Sequence, residues 1–344
     1  MAKVRVGING FGRIGRQALK NLMRRHPDAI EVVGINDLLD TKTNAHLFKY
    51  DSNYGVHEGS VEAGDKSITI DGHEIQVSAE RDPANIPWKT WNVDVVVEST
   101  GFFTDATKAK AHVDAGARKV IISAPAKNED ITVVLGVNEE KYDPDRHTII
   151  SNASCTTNGL APVAKVLFDR WGIEKGLLTT VHSYTNSQRL LDVATSDLRD
   201  ARAAALNIVP AATGAARAVG LVIPELVGKF GGMAFRVPTP TVSVIDFTYV
   251  LSKGASVEEI NGAMQEYAGA KMKGILEYTE APLVSMDLKR NEHSSIFSAM
   301  DTLMIDSTFG KVISWYDNEW GYSCRLADIT AFVGARLGST AGVR

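Results

Sequence analysis

Val4-Arg5-Val6-Gly7-Ile8-Asn9-Gly10-Phe11-Gly12-Arg13-Ile14-Gly15, close to the N-terminus, joins an alternating apolar run to three glycines spaced G-x-G-x-x-G. The run is apolar enough for an internal strand, and helical spacing follows from Arg16 to Arg25, closed by His26-Pro27. Ala29 to Asp37 supplies a second strand with an acid at its C-terminal end. Strand, glycine turn, helix, strand and acid in that order predict a dinucleotide-binding unit, and each part has a mechanical reason. Gly10 makes the tight turn, Gly12 lets the backbone approach a pyrophosphate at the helix N-terminus, and Gly15 lets the helix pack close to the strand. The bare glycine spacing also fits a structural turn; the strands and the acid around it are what favour a nucleotide.

Asp37 follows Gly15 by 22 residues, the distance at which a carboxylate accepts hydrogen bonds from an adenosine ribose. A carboxylate there repels a 2′-phosphate, so NAD is favoured over NADP, although a solvated strand end reads the same way. Further strands are expected at 93–101, 118–123 and 131–136, with polar ends where parallel sheets keep their ligands. Ser99, Thr100 and Ser123 are candidate cofactor neighbours or ordinary helix caps. Asp65 to Val77 reads as a peripheral hairpin turning at Asp71-Gly72, and Arg81 either reaches the adenosine end or is a loop charge.

At 344 residues the chain has room for about two domains. A net charge of −4 offers no basic field for nucleic acid or an anionic membrane. Two cysteines, neither paired in a C-x-x-C motif, suggest a reducing compartment, and scattered histidines with no H-E-x-x-H predict no metal. The N-terminus runs straight into a strand pattern, and no apolar run reaches about 18 residues. These features lead us to expect a cytoplasmic protein.

In the second half, Ser151-Asn152-Ala153-Ser154-Cys155-Thr156-Thr157-Asn158-Gly159 sets one cysteine where a β-branched run gives way to helical apolar spacing at Leu160, Val163, Ala164, Leu167 and Trp171. Cys155 is therefore expected at a helix N-terminus, where unpaired N–H groups and the positive dipole end favour thiolate. It is either a nucleophile or a small packed residue. His182 ends a strand pattern running from Gly176 and is the best-placed base among eight histidines, a packed strand residue being the other reading. Residues 186–209 form a long loop containing Arg189, Arg199 and Arg202. Thr213-Gly214 opens a helix in the manner of an anion site, and Arg236 at a strand end either clamps a phosphate or makes a surface salt bridge. Val242 to Leu251 alternates as a long strand, and Cys324, on the final helix, reads as packing.

With these segments in view, the chain resembles phosphorylating glyceraldehyde-3-phosphate dehydrogenases along nearly its whole length. The resemblance rests on Val6 to Arg16, Ser151 to Asn158, Asn207-Ile208-Val209-Pro210, Thr213 to Ala216, Arg236-Val237-Pro238-Thr239-Pro240 and Trp315-Tyr316-Asp317-Asn318-Glu319-Trp320-Gly321. It implies an α/β chain: a Rossmann-type parallel sheet in residues 1–154, completed by a C-terminal helix at 319–344, and an α+β catalytic and tetramerisation domain with a large mixed sheet in 155–318. It implies Cys155 as nucleophile and His182 as base. Gly10, Gly12, Arg13, Ile14, Asp37, Arg81, Ser123 and Asn318 would surround NAD, with Asn318 on the carboxamide. Ser154, Thr156, Thr185, Thr213, Gly214 and Arg236 would bind glyceraldehyde 3-phosphate and inorganic phosphate. A homotetramer is implied, with the 186–209 loop reaching a neighbour. The chain departs from the bacterial pattern at Ser187, at Asp200 and at Val193-Ala194. The last pair leaves NADP open as a second cofactor, as in carbon fixation, and erythrose-4-phosphate dehydrogenase is a related alternative.

Overall fold

In the computed structural model, which describes residues 2–337, the apolar run becomes β1 (Val4–Asn9) and the glycine turn opens α1 (Arg13–Arg25). The helix starts three residues before the expected Arg16, because Gly12 itself occupies the N-cap. The chain divides into two units, residues 1–133, 140–153 and 323–344, and residues 134–139 and 154–322.

In the first unit β2 (Ile30–Asn36) and α2 (Thr41–Lys49) follow, then a small ladder of β3 (Tyr50–Asp51) and β4 (Gly55–Val56). Next come β5 (Val61–Ala63), β6 (Ser67–Ile70), β7 (His73–Ser78), β8 (Val95–Glu98), α3 (Ala106–Asp114), β9 (Lys119–Ile122), β10 (Ile131–Thr132) and β11 (Ile149–Ser151). The nine-stranded sheet runs β10-β11-β9-β8-β1-β2-β7-β6-β5, and every pair from β10 to β7 is parallel. Strand order reverses between β1 and β8, the topological switch point at which open α/β sheets hold their ligands. The hairpin does lie at the sheet edge, but through β7 it joins β2 in parallel. The strand expected over 131–136 is only two residues long; beyond it Val134 N donates instead to Asn138 Oδ1 within a turn. Apart from Val4 at the start of β1, strands β1, β2, β8 and β9 bury their apolar residues, as parallel strands covered on both faces do. Gly7 is required by that packing: a Cβ there would stand 2.5 Å from Trp88 Cζ3.

The second unit contains α4 (Cys155–Trp171), β12 (Ile173–Ser183), β13 (Val209–Ala212), α5 (Ala215–Val222), β14 (Phe230–Val237) and β15 (Ser243–Leu251). It continues with α6 (Val257–Gly269), β16 (Leu276–Thr279), β17 (Ser295–Met304), β18 (Phe309–Tyr316) and the start of α7 (Trp320–Gly334). Residues 338–344 of the expected C-terminal helix lie outside the described residues. The seven-stranded sheet, in order β13-β14-β12-β15-β18-β17-β16, is mixed: β12 pairs with β14 and β16 with β17 in parallel, and the remaining pairs are antiparallel. Helix α4 buries Leu160, Val163, Ala164, Val166 and Leu167, each worth roughly 1–3 kcal/mol of transfer free energy. Gly159 brings it onto the sheet, since a Cβ there would lie 2.9 Å from Ile245 Cδ1. The chain is thus α/β, with a Rossmann-type parallel sheet followed by a mixed-sheet α+β unit.

Candidate active site

Cys155 is the first residue of α4, half-buried behind the Ser154 N-cap. The residue before the cap, Ala153, takes φ of 55°, a left-handed conformation costing a residue with a Cβ about 1–2 kcal/mol. His182 is the penultimate residue of β12, 5% exposed, and its Nε2 lies 3.5 Å from Cys155 Sγ. Nδ1 lies 2.7 Å from the carbonyl oxygen of Ser183, which has no hydrogen to give, and so donates to it. That bond fixes the tautomer, leaving the Nε2 lone pair facing the sulfur. The ring also stands edge-on to Tyr316, with centroids 5.9 Å apart. Tyr316 Oη is 2.8 Å from both Thr156 Oγ1 and Thr180 Oγ1, so one buried phenol braces the first turn of α4 against β12.

The electrostatics reverse one expectation. Burial pushes the Cys155 thiol above its ordinary value, outweighing the Arg236 charge and the hydrogen bonds from Thr156 and from the cysteine's own N–H. For His182 burial and then Arg236 act together, bringing the imidazole down to about 3 against the opposing Ser183 bond. The helix N-terminus does not outweigh burial: the surroundings favour the thiol form of Cys155 and the neutral form of His182.

Arg236 faces His182 directly across the parallel ladder of β12 and β14, and its Nη1 is buried with no protein acceptor. A buried, unpaired guanidinium N–H is costly and is the donor an anion would satisfy. Gln188 Nε2 and Thr239 Oγ1 are likewise buried donors without a partner. Thr239 O accepts from Tyr184 N, and Gln188 Oε1 accepts from Thr185 N at 3.3 Å. Thr185 Oγ1 lies 3.2 Å from Ser187 Oγ. Thr213 Oγ1 accepts from Ala215 N at the start of α5, and Gly214 is the N-cap, with nothing within 4 Å of where its Cβ would be. Two hydroxyls expected to face a phosphate are already engaged. Ser154 Oγ accepts from Thr157 N at 3.0 Å as the helix cap, and Thr156 Oγ1 lies 2.8 Å from Tyr316 Oη, so each hydroxyl keeps only part of its hydrogen-bonding capacity for a ligand. Of the loop arginines, Arg202 pairs with Asp192 at 3.0 Å and Arg199 donates to Pro210 O at 3.4 Å.

In the first unit, Gly10 takes φ of +89°, and a Cβ on Gly15 would fall 2.1 Å from Gly10 O, so the turn and the close helix approach both demand glycine. A Cβ on Gly12 meets no protein atom within 4 Å, and the first turn of α1 carries no acid and no capping side chain. Open space before uncapped N–H groups suits a pyrophosphate, so the residues present fit a dinucleotide. Asp37 accepts from Phe11 N at 2.8 Å and Leu39 N at 3.0 Å, tying the acid to the glycine turn while leaving lone pairs for a ribose. The Arg13 side chain pairs with Asp51 at 2.6 Å. Ile14 and Ser123 are half-buried, and Arg81 is exposed. Asn318, in the second unit, accepts from Ser183 Oγ and Ser243 Oγ on Oδ1, which leaves the amide nitrogen as its donor toward a ligand.

Tyr316, Thr180, Gln188 and Thr239 were not singled out from the sequence. Thr180 sits two residues before His182 and so shares its face of β12, a signal that period-2 reading carries. Gln188 and Thr239 lie in loops, where no periodicity marks a buried donor.

Known proteins carry the same two-part organisation. Residues 4–106 match the family profile "Glyceraldehyde 3-phosphate dehydrogenase, NAD binding domain", and residues 154–318 match its C-terminal domain. Glyceraldehyde-3-phosphate dehydrogenase of Geobacillus stearothermophilus is 56% identical over 333 residues, covering 97% of this chain and 99% of the relative. That of Mycolicibacterium smegmatis is 57% identical over 341 residues with the same coverage, and glyceraldehyde-3-phosphate dehydrogenase 1 of Bacillus subtilis is 54% identical over 330 residues, 96% of this chain and 98% of the relative. With more than half of its residues shared from end to end and both domain profiles in register, the chain belongs to the glyceraldehyde-3-phosphate dehydrogenase family.

Proposed function

We propose that this protein oxidises glyceraldehyde 3-phosphate with NAD and inorganic phosphate to 1,3-bisphosphoglycerate, through a thioester on Cys155. The observation that carries the reading is the Cys155–His182 contact of 3.5 Å, with the imidazole tautomer fixed by Ser183. His182 Nε2 takes the thiol proton as sulfur attacks the aldehyde carbon and hands it to the resulting oxygen, forming a neutral hemithioacetal. The Cys155 N–H at the start of α4 is the nearest backbone donor for the oxygen that becomes negative. Bound NAD supplies the hydride acceptor. As the C–H bond is oxidised, His182 holds the proton lost by the hydroxyl, leaving a thioester. Phosphate oxygen then attacks the acyl carbon, the C–S bond breaks, and the Cys155 sulfur recovers its proton from His182. Arg236, with its unsatisfied buried N–H, anchors an anionic substrate group, assisted by Thr185, Thr213 and Gly214 and by the remaining hydrogen-bonding positions of Ser154 and Thr156. Gly10, Gly12, Arg13, Ile14, Asp37, Arg81, Ser123 and the Asn318 amide hold the cofactor.

The working form we propose is a cytoplasmic homotetramer. Support comes from the loop after β12, where Leu190, Leu191, Leu198, Leu206 and Ile208 are each about two-thirds or more exposed, an apolar density that isolated surfaces seldom keep. The test of the activity is the absorbance of reduced nicotinamide with aldehyde, NAD and phosphate present. Cys155→Ser abolishes the signal and retains NAD binding; turnover persisting in that variant refutes the mechanism.

A further inference from the structure

We infer that Glu98, with His112 and Trp88 behind it, is a positioning residue for the dinucleotide site of the first unit, a buried carboxylate that holds the glycine turn and its neighbouring loops in one arrangement. The inference rests on NAD being the cofactor. Glu98 ends β8 and is 2% exposed, so it acts only through what it touches. Its Oε2 accepts from Asn9 Nδ2 at 2.6 Å and His112 Nε2 at 3.0 Å. Its Oε1 accepts from Thr100 N at 2.8 Å and Thr100 Oγ1 at 2.5 Å. Four donors on two oxygens use the full accepting capacity of a carboxylate.

Each neighbour is itself locked. Trp88 Nε1 donates to His112 Nδ1 at 3.0 Å, so the imidazole proton sits on Nε2 and points at Glu98. Asn9 Oδ1 accepts from Asn36 Nδ2 at 2.8 Å, and Asn36 Oδ1 accepts from Ser78 Oγ and from Glu80 N, both at 2.8 Å. Thr100 Oγ1 accepts in turn from Phe102 N at 3.0 Å. Bonds of fixed direction therefore converge on Glu98 from Trp88 at one end and from Glu80 at the other, beneath the ends of β1, β2, β7 and β8. The glycine turn rests on this layer: a Cβ at Gly10 would stand 2.7 Å from Thr100 N, and Ser99 Oγ donates to Gly10 O at 2.7 Å. A shift of Thr100 is a shift of the turn.

Stability alone does not account for the charge, because a buried ionic group can commonly be replaced by apolar packing without loss. Its donors come from the end of β1 just before the glycine turn, from α3 and from the 99–102 loop, so what it specifies is their mutual placement. A glutamine fails in either orientation. With its NH2 toward His112 it opposes the Nε2 proton, and the other tautomer would set Nδ1–H against Trp88 Nε1–H. With its NH2 toward the loop it opposes Thr100 N–H.

The experiment is Glu98→Gln in the full chain, with the NAD dissociation constant read by titration, KM for NAD and kcat by turnover, and folding by circular dichroism. The expected result is weaker NAD binding and a higher KM by about tenfold or more, with kcat at saturating NAD lowered by less than about threefold. A folded variant that binds NAD within about twofold of the parent overturns the inference. Should Glu98→Gln fail to fold, His112→Gln and His112→Leu decide. Glutamine places an amide donor where Nε2 stands and keeps the affinity, whereas leucine loses it; equal affinity in the two overturns the inference. A parent protein that takes up no NAD refutes the cofactor reading, and this inference with it, before any variant is made.

Discussion

Replacing Arg236 by glutamine removes a charge that acts on both members of the Cys155–His182 pair. Arg236 lowers the thiol and the imidazole alike, in each case as the second contribution after burial. The signs follow from electrostatics: a cation stabilises a thiolate and penalises an imidazolium, so its removal raises both titrations. A unit charge within several ångströms, at an effective dielectric of about 20, is worth about 1–3 kcal/mol. The thiol midpoint is therefore expected to move upward when that charge is removed. Alkylation of ligand-free protein by iodoacetamide as a function of pH measures it. Cys324 stays silent in the native protein, being fully buried with its Sγ bonded to Asn21 Oδ1. Arg236→Lys, which keeps the charge, returns the midpoint most of the way to that of the parent. A midpoint in Arg236→Gln that is unchanged or lower refutes the assignment of this charge to the thiol.

Two other perturbations follow from the structure. Asp37→Ala narrows the preference for NAD over NADP, because the carboxylate that repels a 2′-phosphate is gone; it also loosens the glycine turn through Phe11 N, so NAD affinity falls, and an unchanged ratio of kcat/KM values would show that Asp37 does not set the choice. Asp328 is held down to about 2, since the His26 hydrogen bond and the charges of Arg325 and Arg25 together outweigh its burial. A depressed carboxyl contributes stability above its unfolded pKa near 4 and loses it as pH falls toward 2, so Asp328→Asn costs about 2 kcal/mol at pH 7 and progressively less below pH 4, checked by denaturant unfolding at both pH values.

The sequence was most legible where spacing and sterics coincide. Gly10, Gly12 and Gly15 could be assigned separate duties because a turn, an open approach and a close helix contact each exclude a side chain for a different reason, and the coordinates give each glycine that surrounding. The alternation of Val242 to Leu251 likewise survives as β15, with every second residue buried. What periodicity does not carry is which donor meets which acceptor. Ser154 and Thr156 flank Cys155 as two similar hydroxyls, yet one caps its own helix and the other bonds a tyrosine 160 residues away. His182 and Arg236 were separate candidates until the parallel register of β12 and β14 set them opposite each other. The thiol's direction was misjudged because a helix N-terminus is visible in sequence and burial is not.

Burial and reactivity at Cys155 are reconciled by treating the pair as the titrating unit. Moving one proton from Sγ to Nε2 leaves the net charge of the pair unchanged, so desolvation opposes this transfer less than it opposes either ionisation alone. The surroundings then divide the labour between the two ends. Arg236, the Thr156 contacts and the N–H at the start of α4 favour negative charge on sulfur, while the Ser183 carbonyl, accepting from Nδ1, favours positive charge on the ring. Arg236 also penalises the imidazolium, so its charge is useful only if something negative shares it. An anionic substrate group at the unsatisfied Nη1 meets that condition: by screening Arg236 from the ring it eases protonation of His182, at the cost of part of the support for the thiolate. In the proposed reaction the proton transfer is thereby coupled to substrate binding, and a thiol that burial keeps protonated is protected from electrophiles until the aldehyde arrives.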